Sequence, residues 1–190
     1  MTLDTASDVY VMTNELVGLP LTPPSLMGEW RTPLMCQTGS FIYGYLNWHD
    51  KYDGESMEPD DCGVVGVELL CRDLHGISTH NLTHIIHYPG SYQGNLVTCP
   101  AGVLATGLRG KQGADRDSTL DQDGLINLEI KCQDGSTYRS LRPSEHGTMG
   151  NTMECSVGSY LCGVQIREVT LGHSDDNTCI TDMAIICCSP

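Results

Sequence analysis

Three segments of this chain repeat one another, and that repeat narrows the fold more than any other feature. Each opens with Cys-x-x-Gly-x-x-x-x-Gly: Cys36, Gly39 and Gly44; Cys99, Gly102 and Gly107; Cys155, Gly158 and Gly163. Each closes on a cysteine, Cys71, Cys132 or Cys187, at closely similar separations. Eleven residues before each closing cysteine stands an Asp: Asp60, Asp121 and Asp176. Apolar residues stand seven, four and two positions before it: Val64, Val67 and Leu69; Leu125, Leu128 and Ile130; Ile180, Met183 and Ile185. A unit of this kind has one apolar face that it cannot bury alone, so the units must pack on one another.

The closing runs alternate. Val67, Leu69 and Cys71 share one face and Glu68 and Leu70 the other; Leu128, Ile130 and Cys132 oppose Glu129 and Lys131. Period two over a short run is a strand with one buried face. The opening runs read the same way: Phe41, Tyr43 and Tyr45 align with Leu104, Thr106 and Leu108, and with Tyr160, Cys162 and Val164. The glycines then fall on the opposite face, where a side chain would be crowded or the backbone bends. Gly and Pro interrupt every candidate helix. The expectation is an all-β fold of three sheets about a pseudo-threefold axis, in one domain over 28–190, with units near 28–73, 89–134 and 146–188. Residues 1–27 form an N-terminal arm. Its Asp8–Met12 stretch reads as an extra strand that pairs with the last sheet.

Ten cysteines among 190 residues suit an oxidising, extracellular setting, and their number is even. No Cys-x-x-Cys pair occurs, which argues against zinc. Opening and closing cysteines recur together, so Cys36–Cys71, Cys99–Cys132 and Cys155–Cys187 are expected to bond within units. Each closes a loop of about 33 residues, worth roughly 3–4 kcal/mol in the chain-entropy model. Cys162 then pairs with Cys188, with a swap of Cys187 and Cys188 as the alternative. Cys62 and Cys179 are left to bridge units one and three, or to stay free or bond between molecules. The formal charge of −14 argues against nucleic acid and suits basic protein partners or divalent cations. No run of 18 apolar residues spans a membrane. The start, Met1-Thr2-Leu3-Asp4, has no basic n-region, as expected of a mature secreted chain.

Asp60, Asp121 and Asp176 are the leading site candidates, with Asp61 beside the first. A carboxylate recurring at one end of three strands can line a common pocket, hold Ca²⁺ or take part in glycoside chemistry. The plainer reading is turn formation, in which Asp bonds its own backbone two residues on. Asp50, Asp53, Glu55, Glu58, Asp60 and Asp61 make the first loop strongly acidic. His80, His84 and His87 would gather around a metal on a helix; on a strand only His80 and His84 share a face. Asn81-Leu82-Thr83 is an N-glycosylation sequon. Trp48, Tyr52, Tyr88 and Tyr92 fall near loops, as sugar-stacking or edge-packing residues. No Gly-x-Ser-x-Gly, P-loop or His-Glu-x-x-His motif occurs.

Taken together these residues resemble the vitelline membrane outer layer protein I family. Gly28-Glu-Trp30 ahead of Cys36, the paired Asp60-Asp61, the Val64, Val67, Leu69, Cys71 series, Cys99-Pro-Ala-Gly102 and the terminal Cys187-Cys188 carry the resemblance. It implies a β-prism of three Greek-key sheets, secreted and disulfide-stapled, similar in architecture to jacalin-type lectins. It also implies a structural or binding protein of an extracellular, egg-coat-like matrix, with glycoproteins or glycans as partners. The alternatives it leaves are a lectin using loops at one end of the prism and a weak transferase acting on chito-oligosaccharides. No cofactor is expected beyond Ca²⁺. The chain departs from the family pattern at the second Asp, which is Gln122 in unit two and Asn177 in unit three. The loop Asn is replaced by Val65, Ile126 and Thr181, and the Trp by Gln93 and Met149.

Overall fold

The computed structural model of the chain describes residues 9–15, 28–49, 63–86, 91–112, 124–141, 147–169 and 179–190. Among them there are strands and turns and no helix, and every strand pairing is antiparallel. In the first sheet β4 (Ser40–His49), β5 (Val64–Asp73) and β6 (Leu82–Ile85) lie side by side. The chain then returns through β7 (Tyr92–Gln93) and β8 (Val97–Thr98) to the free side of β4. Three consecutive strands with a fourth beside the first make a Greek key. The second sheet repeats it with β9 (Ala105–Gln112), β10 (Leu125–Cys132) and β11 (Thr137–Arg139), while β12 (Thr148–Met149) and β13 (Met153–Glu154) return to β9.

The third sheet holds β14 (Tyr160–Glu168) and β15 (Ile180–Cys188), and the beginning of the chain completes it. There β1 (Val9–Glu15) pairs with β15, and β2 (Glu29–Trp30) and β3 (Leu34–Met35) pair with β14. The molecule is a β-prism closed by its own N-terminal strands. The sheets are offset from the repeat units, because the lead-in stretch of each unit lies in the sheet of the unit before it.

The offset explains the Cys-x-x-Gly-x-x-x-x-Gly motif. Gly39, Gly102 and Gly158 take φ of 78°, 80° and 85°, the left-handed turn that starts each opening strand. Gly44, Gly107 and Gly163 face the lead-in strand of the next unit. A β-carbon there would lie 2.6, 2.5 and 2.5 Å from the carbonyl oxygens of Val97, Met153 and Leu34.

Simple alternation fails in the opening strands. Ile42 pairs with Cys71 but Gly44 with Leu70, so Tyr43 is an extra residue. Thr106 and Cys162 are extra in the same way. A bulge puts two residues against one and reverses the side-chain facing beyond it. Ile42 and Tyr45 therefore both enter the core, whereas the sequence pattern put Phe41, Tyr43 and Tyr45 on one face. The bulge has a second consequence. The carbonyls of Tyr43, Thr106 and Cys162 accept hydrogen bonds from the backbone N–H groups of Cys99, Cys155 and Cys36, each at 2.8 Å.

Each opening cysteine is thus hydrogen-bonded to one sheet and disulfide-bonded to the next. Cys36–Cys71, Cys99–Cys132 and Cys155–Cys187 staple the three sheet junctions in turn, and Cys162–Cys188 ties β14 to β15. Cys179 is also oxidised, and its expected partner, Cys62, lies outside the described residues. The core on the axis draws on all three sheets, including Tyr45, Val67 and Leu69, then Leu108, Leu128 and Ile130, then Val164, Met183 and Ile185. At the turn end Phe41, Leu104, Cys162 and Ile186 form a smaller cluster. There Phe41 meets the Tyr160 ring edge-on at 5.4 Å, and Arg72 lies over the Tyr43 ring and donates to the Val103 carbonyl.

Candidate functional site

Opposite the turn end, β4 and β5, β9 and β10, and β14 and β15 end where three connecting segments leave and return. They span 50–62, 113–123 and 170–178 and carry Asp60, Asp61, Asp121 and Asp176, all outside the described residues. Half of the chain's 24 acidic side chains, but only Lys51 and Arg116 among its 10 basic ones, belong to these loops.

The strand ends that hold the loops are described, and they converge. Gly63, at the foot of the first loop, stands against the Leu125 carbonyl at the foot of the second. Val65 and Cys179, at the feet of the first and third, form one buried cluster with Trp48 and Ile86 packed on it. Val169 N–H donates to the Cys179 carbonyl at 2.9 Å and closes the third loop at its base. The strand ends that flank the three Asp-bearing segments therefore converge at one end of the prism.

Beneath the loops the closing strands bulge in turn. Val65, Ile126 and Thr181 are the extra residues, and all three are buried. The departures from the family's loop Asn thus fall on packed positions in strands. Trp30 lies on β2 in the third sheet, 38% exposed, with the Arg167 guanidinium 5.8 Å from its ring centre.

One set of polar residues escaped the sequence reading. The inward stripes of the opening strands run Tyr45, Asn47, His49; Leu108, Gly110, Gln112; and Val164, Ile166, Glu168. Each stripe ends under its loop on a buried polar residue: His49, Gln112 or Glu168. Glu168 joins two sheets. One carboxylate oxygen accepts from Arg31 Nε of the same sheet at 2.5 Å. The other meets His84 Nε2, on β6 of the first sheet, also at 2.5 Å. A polar residue ending an apolar stripe at the same place in three repeats was the signal available.

A second polar junction joins the first and second sheets. The Tyr45 hydroxyl donates to the Leu128 carbonyl and accepts from Ser140 N–H at 3.0 Å. Burial pushes the phenol well above its usual pKa; the Ser140 bond opposes this and Glu129 adds to it. Asn127 Nδ2 donates to the Ser140 carbonyl, and Asn95 Oδ1 accepts from Ser140 Oγ and Leu141 N–H.

Of the three candidate histidines, His84 is taken up by Glu168, His80 is exposed, and His87 lies outside the described residues. No group of three His, Cys, Asp or Glu side chains placed to hold a metal occurs among the described residues. No helix among them is long and apolar enough to cross a membrane. Asn81 is exposed, and its amide donates to Glu68 Oε1 at 2.5 Å.

The model of one protein family, vitelline membrane outer layer protein I, matches residues 21–190. A Mus musculus protein, vitelline membrane outer layer protein 1 homolog, is 27% identical over 169 residues, covering 85% of this chain and 78% of the mouse protein. Among solved structures, a mannose-binding jacalin-related lectin from Ananas comosus superposes with a TM-score of 0.52 at 9% identity, over 97% of this chain and 98% of the lectin. The V. cholerae biofilm matrix protein Bap1 superposes with a TM-score of 0.51 at 8% identity, over 97% of this chain and 24% of that one. These two likenesses concern the fold.

Proposed function

The chain belongs to the vitelline membrane outer layer protein I family, and on that premise we propose that it is an extracellular binding protein of a coat or matrix whose recognition surface is the loop end of the prism. The observation that carries the reading is the convergence of the three loop feet: Gly63 on Leu125, and Val65 on Cys179. On this reading Asp60, Asp61, Asp121 and Asp176, whose segments begin and end at these feet, share one surface; the convergence supports it, since scattered feet would argue for isolated turns.

Carboxylates accept hydrogen bonds from sugar hydroxyls, and charge-assisted bonds are the stronger kind. Several carboxylates together can also recruit Ca²⁺, an oxygen-seeking cation that bridges to hydroxyl groups. The proposed partners are therefore glycans or glycoproteins, with basic proteins favoured by the acidic loops. Another chain of this fold, from Ananas comosus, is a mannose-binding lectin, so the architecture is compatible with sugar recognition. The stapled sheet junctions suit an oxidising compartment and a rigid matrix component.

A glycan array tests the proposal, run on the oxidised protein with Ca²⁺ and with chelator. Binding by the wild type is expected, with loss of signal in an Asp60→Asn, Asp121→Asn, Asp176→Asn triple variant that keeps its thermal transition. Silence of the wild type in both conditions would remove the glycan reading and leave basic proteins as the partners to screen. Binding unaltered in the triple variant would move the site away from these loops.

A further inference from the structure

We propose that Asn81 carries an N-linked glycan that covers the β6 edge of the first sheet. The inference rests on the extracellular reading above, because N-linked transfer takes place in the secretory pathway. Asn81-Leu82-Thr83 meets the acceptor rule, with no proline in the middle position. The fold then decides whether a sugar at that place is compatible with the finished molecule.

It is compatible, for a reason that begins with strand periodicity. Side chains two apart on a strand share a face. Leu82 turns inward and is buried in the common core, and His84 turns inward to meet Glu168. Asn81, Thr83 and Ile85 turn outward, and all three are exposed. The acceptor amide and the threonine hydroxyl that the transferase requires thus lie together on the solvent side. The bond to Glu68 Oε1 uses one N–H of the Asn81 amide. An amide nitrogen has two, so a sugar can replace the other hydrogen while the Glu68 bond is kept.

The donor is a lipid-pyrophosphate-linked oligosaccharide. The amide nitrogen of Asn81 forms a bond to its anomeric carbon, and the bond from that carbon to the pyrophosphate oxygen breaks. The lipid pyrophosphate leaves, and the amide gives up one proton to a base of the transferase. No oxidant or reductant is involved.

The position gives the sugar a purpose. Among the described residues β6 pairs with β5 alone, and none of them pairs with its other edge. Ile85, 45% exposed, stands on the outer face of that short strand. An open edge with an apolar side chain invites pairing with another chain, and edge strands in natural proteins are usually covered or charged. A glycan rooted two residues before Thr83 covers this edge at no cost to the core.

The test is secretion of the full chain from a eukaryotic cell line behind an added leader peptide. The wild type is expected to lose one step in mobility on treatment with a peptide-N-glycosidase, with deamidation at residue 81 read by peptide mass mapping. Asn81→Gln and Thr83→Ala should abolish the step, and Thr83→Ser should retain it. Free-thiol titration on the same samples reports separately on the extracellular reading: persistent free thiols in the secreted chain would count against that reading, whatever the glycan result. A fully oxidised, secreted wild type without glycan would overturn the present proposal alone. Enzymatic removal of the sugar from folded protein should shift it toward larger species in sedimentation. Unchanged sedimentation would overturn the edge-covering role.

Discussion

A single hydroxyl, that of Tyr45, ties two sheets together, and its removal has a calculable cost. Tyr45→Phe would leave the Leu128 carbonyl and the Ser140 N–H without this partner in positions that are almost fully buried. Such a loss costs about 1–3 kcal/mol, read as a lower denaturation midpoint in urea. The effect depends on pH in a definite direction. Burial raises the folded-state pKa above the unfolded value of about 10, so folding favours the neutral phenol. The wild type holds the full benefit below about pH 10 and loses it as pH rises further. The stability gap between wild type and Tyr45→Phe should therefore narrow above about pH 10. A gap that stays constant there would mean that the phenol titrates in the folded protein as it does in the unfolded chain. Glu168→Gln tests the other junction. It removes the charge that Arg31 and His84 share, at a cost of about 1–3 kcal/mol, discounted because Arg31 is a third exposed. A variant with unchanged urea midpoint would show that the pair contributes nothing to the junction.

At the scale of elements, the two motif glycines do different work, and substitution separates them. Gly39→Ala, Gly102→Ala and Gly158→Ala meet open space and suffer only from positive φ, at about 1–2 kcal/mol each. Gly44→Ala, Gly107→Ala and Gly163→Ala meet a backbone carbonyl of the neighbouring strand, which cannot yield as a flexible side chain would. Thermal unfolding should rank the second group as the more damaging at every repeat, and equal losses would refute the close-approach explanation. The strands themselves were legible because period two survives in closing runs such as Val67, Leu69 and Cys71. The opening strands were misread at Tyr43, Thr106 and Cys162. A bulge shifts the facing by one residue, and with Phe41, Ile42, Tyr43 and Tyr45 all apolar or aromatic the strand's own pattern does not show where the shift falls. The offset between units and sheets was hidden for a similar reason. Sequence order alone cannot tell whether Trp30 or Gln93 pairs with its own unit or with the one before.

For the whole molecule, the threefold repeat made the closed all-β architecture readable, since three half-buried units have one economical way to bury their faces. The candidate site was readable only as a location. Recurrent Asp60, Asp121 and Asp176 suggest a shared end of the prism; they lie outside the described residues, and only the feet of their segments are seen to converge. The polar floor at those strand ends, His49, Gln112 and Glu168, was missed although each stands five residues after Gly44, Gly107 or Gly163, because its members differ in type and nothing in the pattern marks them as buried. The molecule has two unlike ends: a turn end sealed by Phe41, Leu104 and Tyr160, and an opposite end from which the segments holding half of the chain's acidic residues leave and return. Recognition is proposed for the second.

The most direct test of that proposal is an amide chemical-shift map of the isotopically labelled, oxidised protein, titrated with a glycan from the array. Perturbations are expected at His49, Gly63, Gln112, Gly124, Glu168 and Cys179, with the turn end silent. Shifts confined to the turns around Gly39, Gly102 and Gly158 would contradict it and place recognition at the opposite end of the prism.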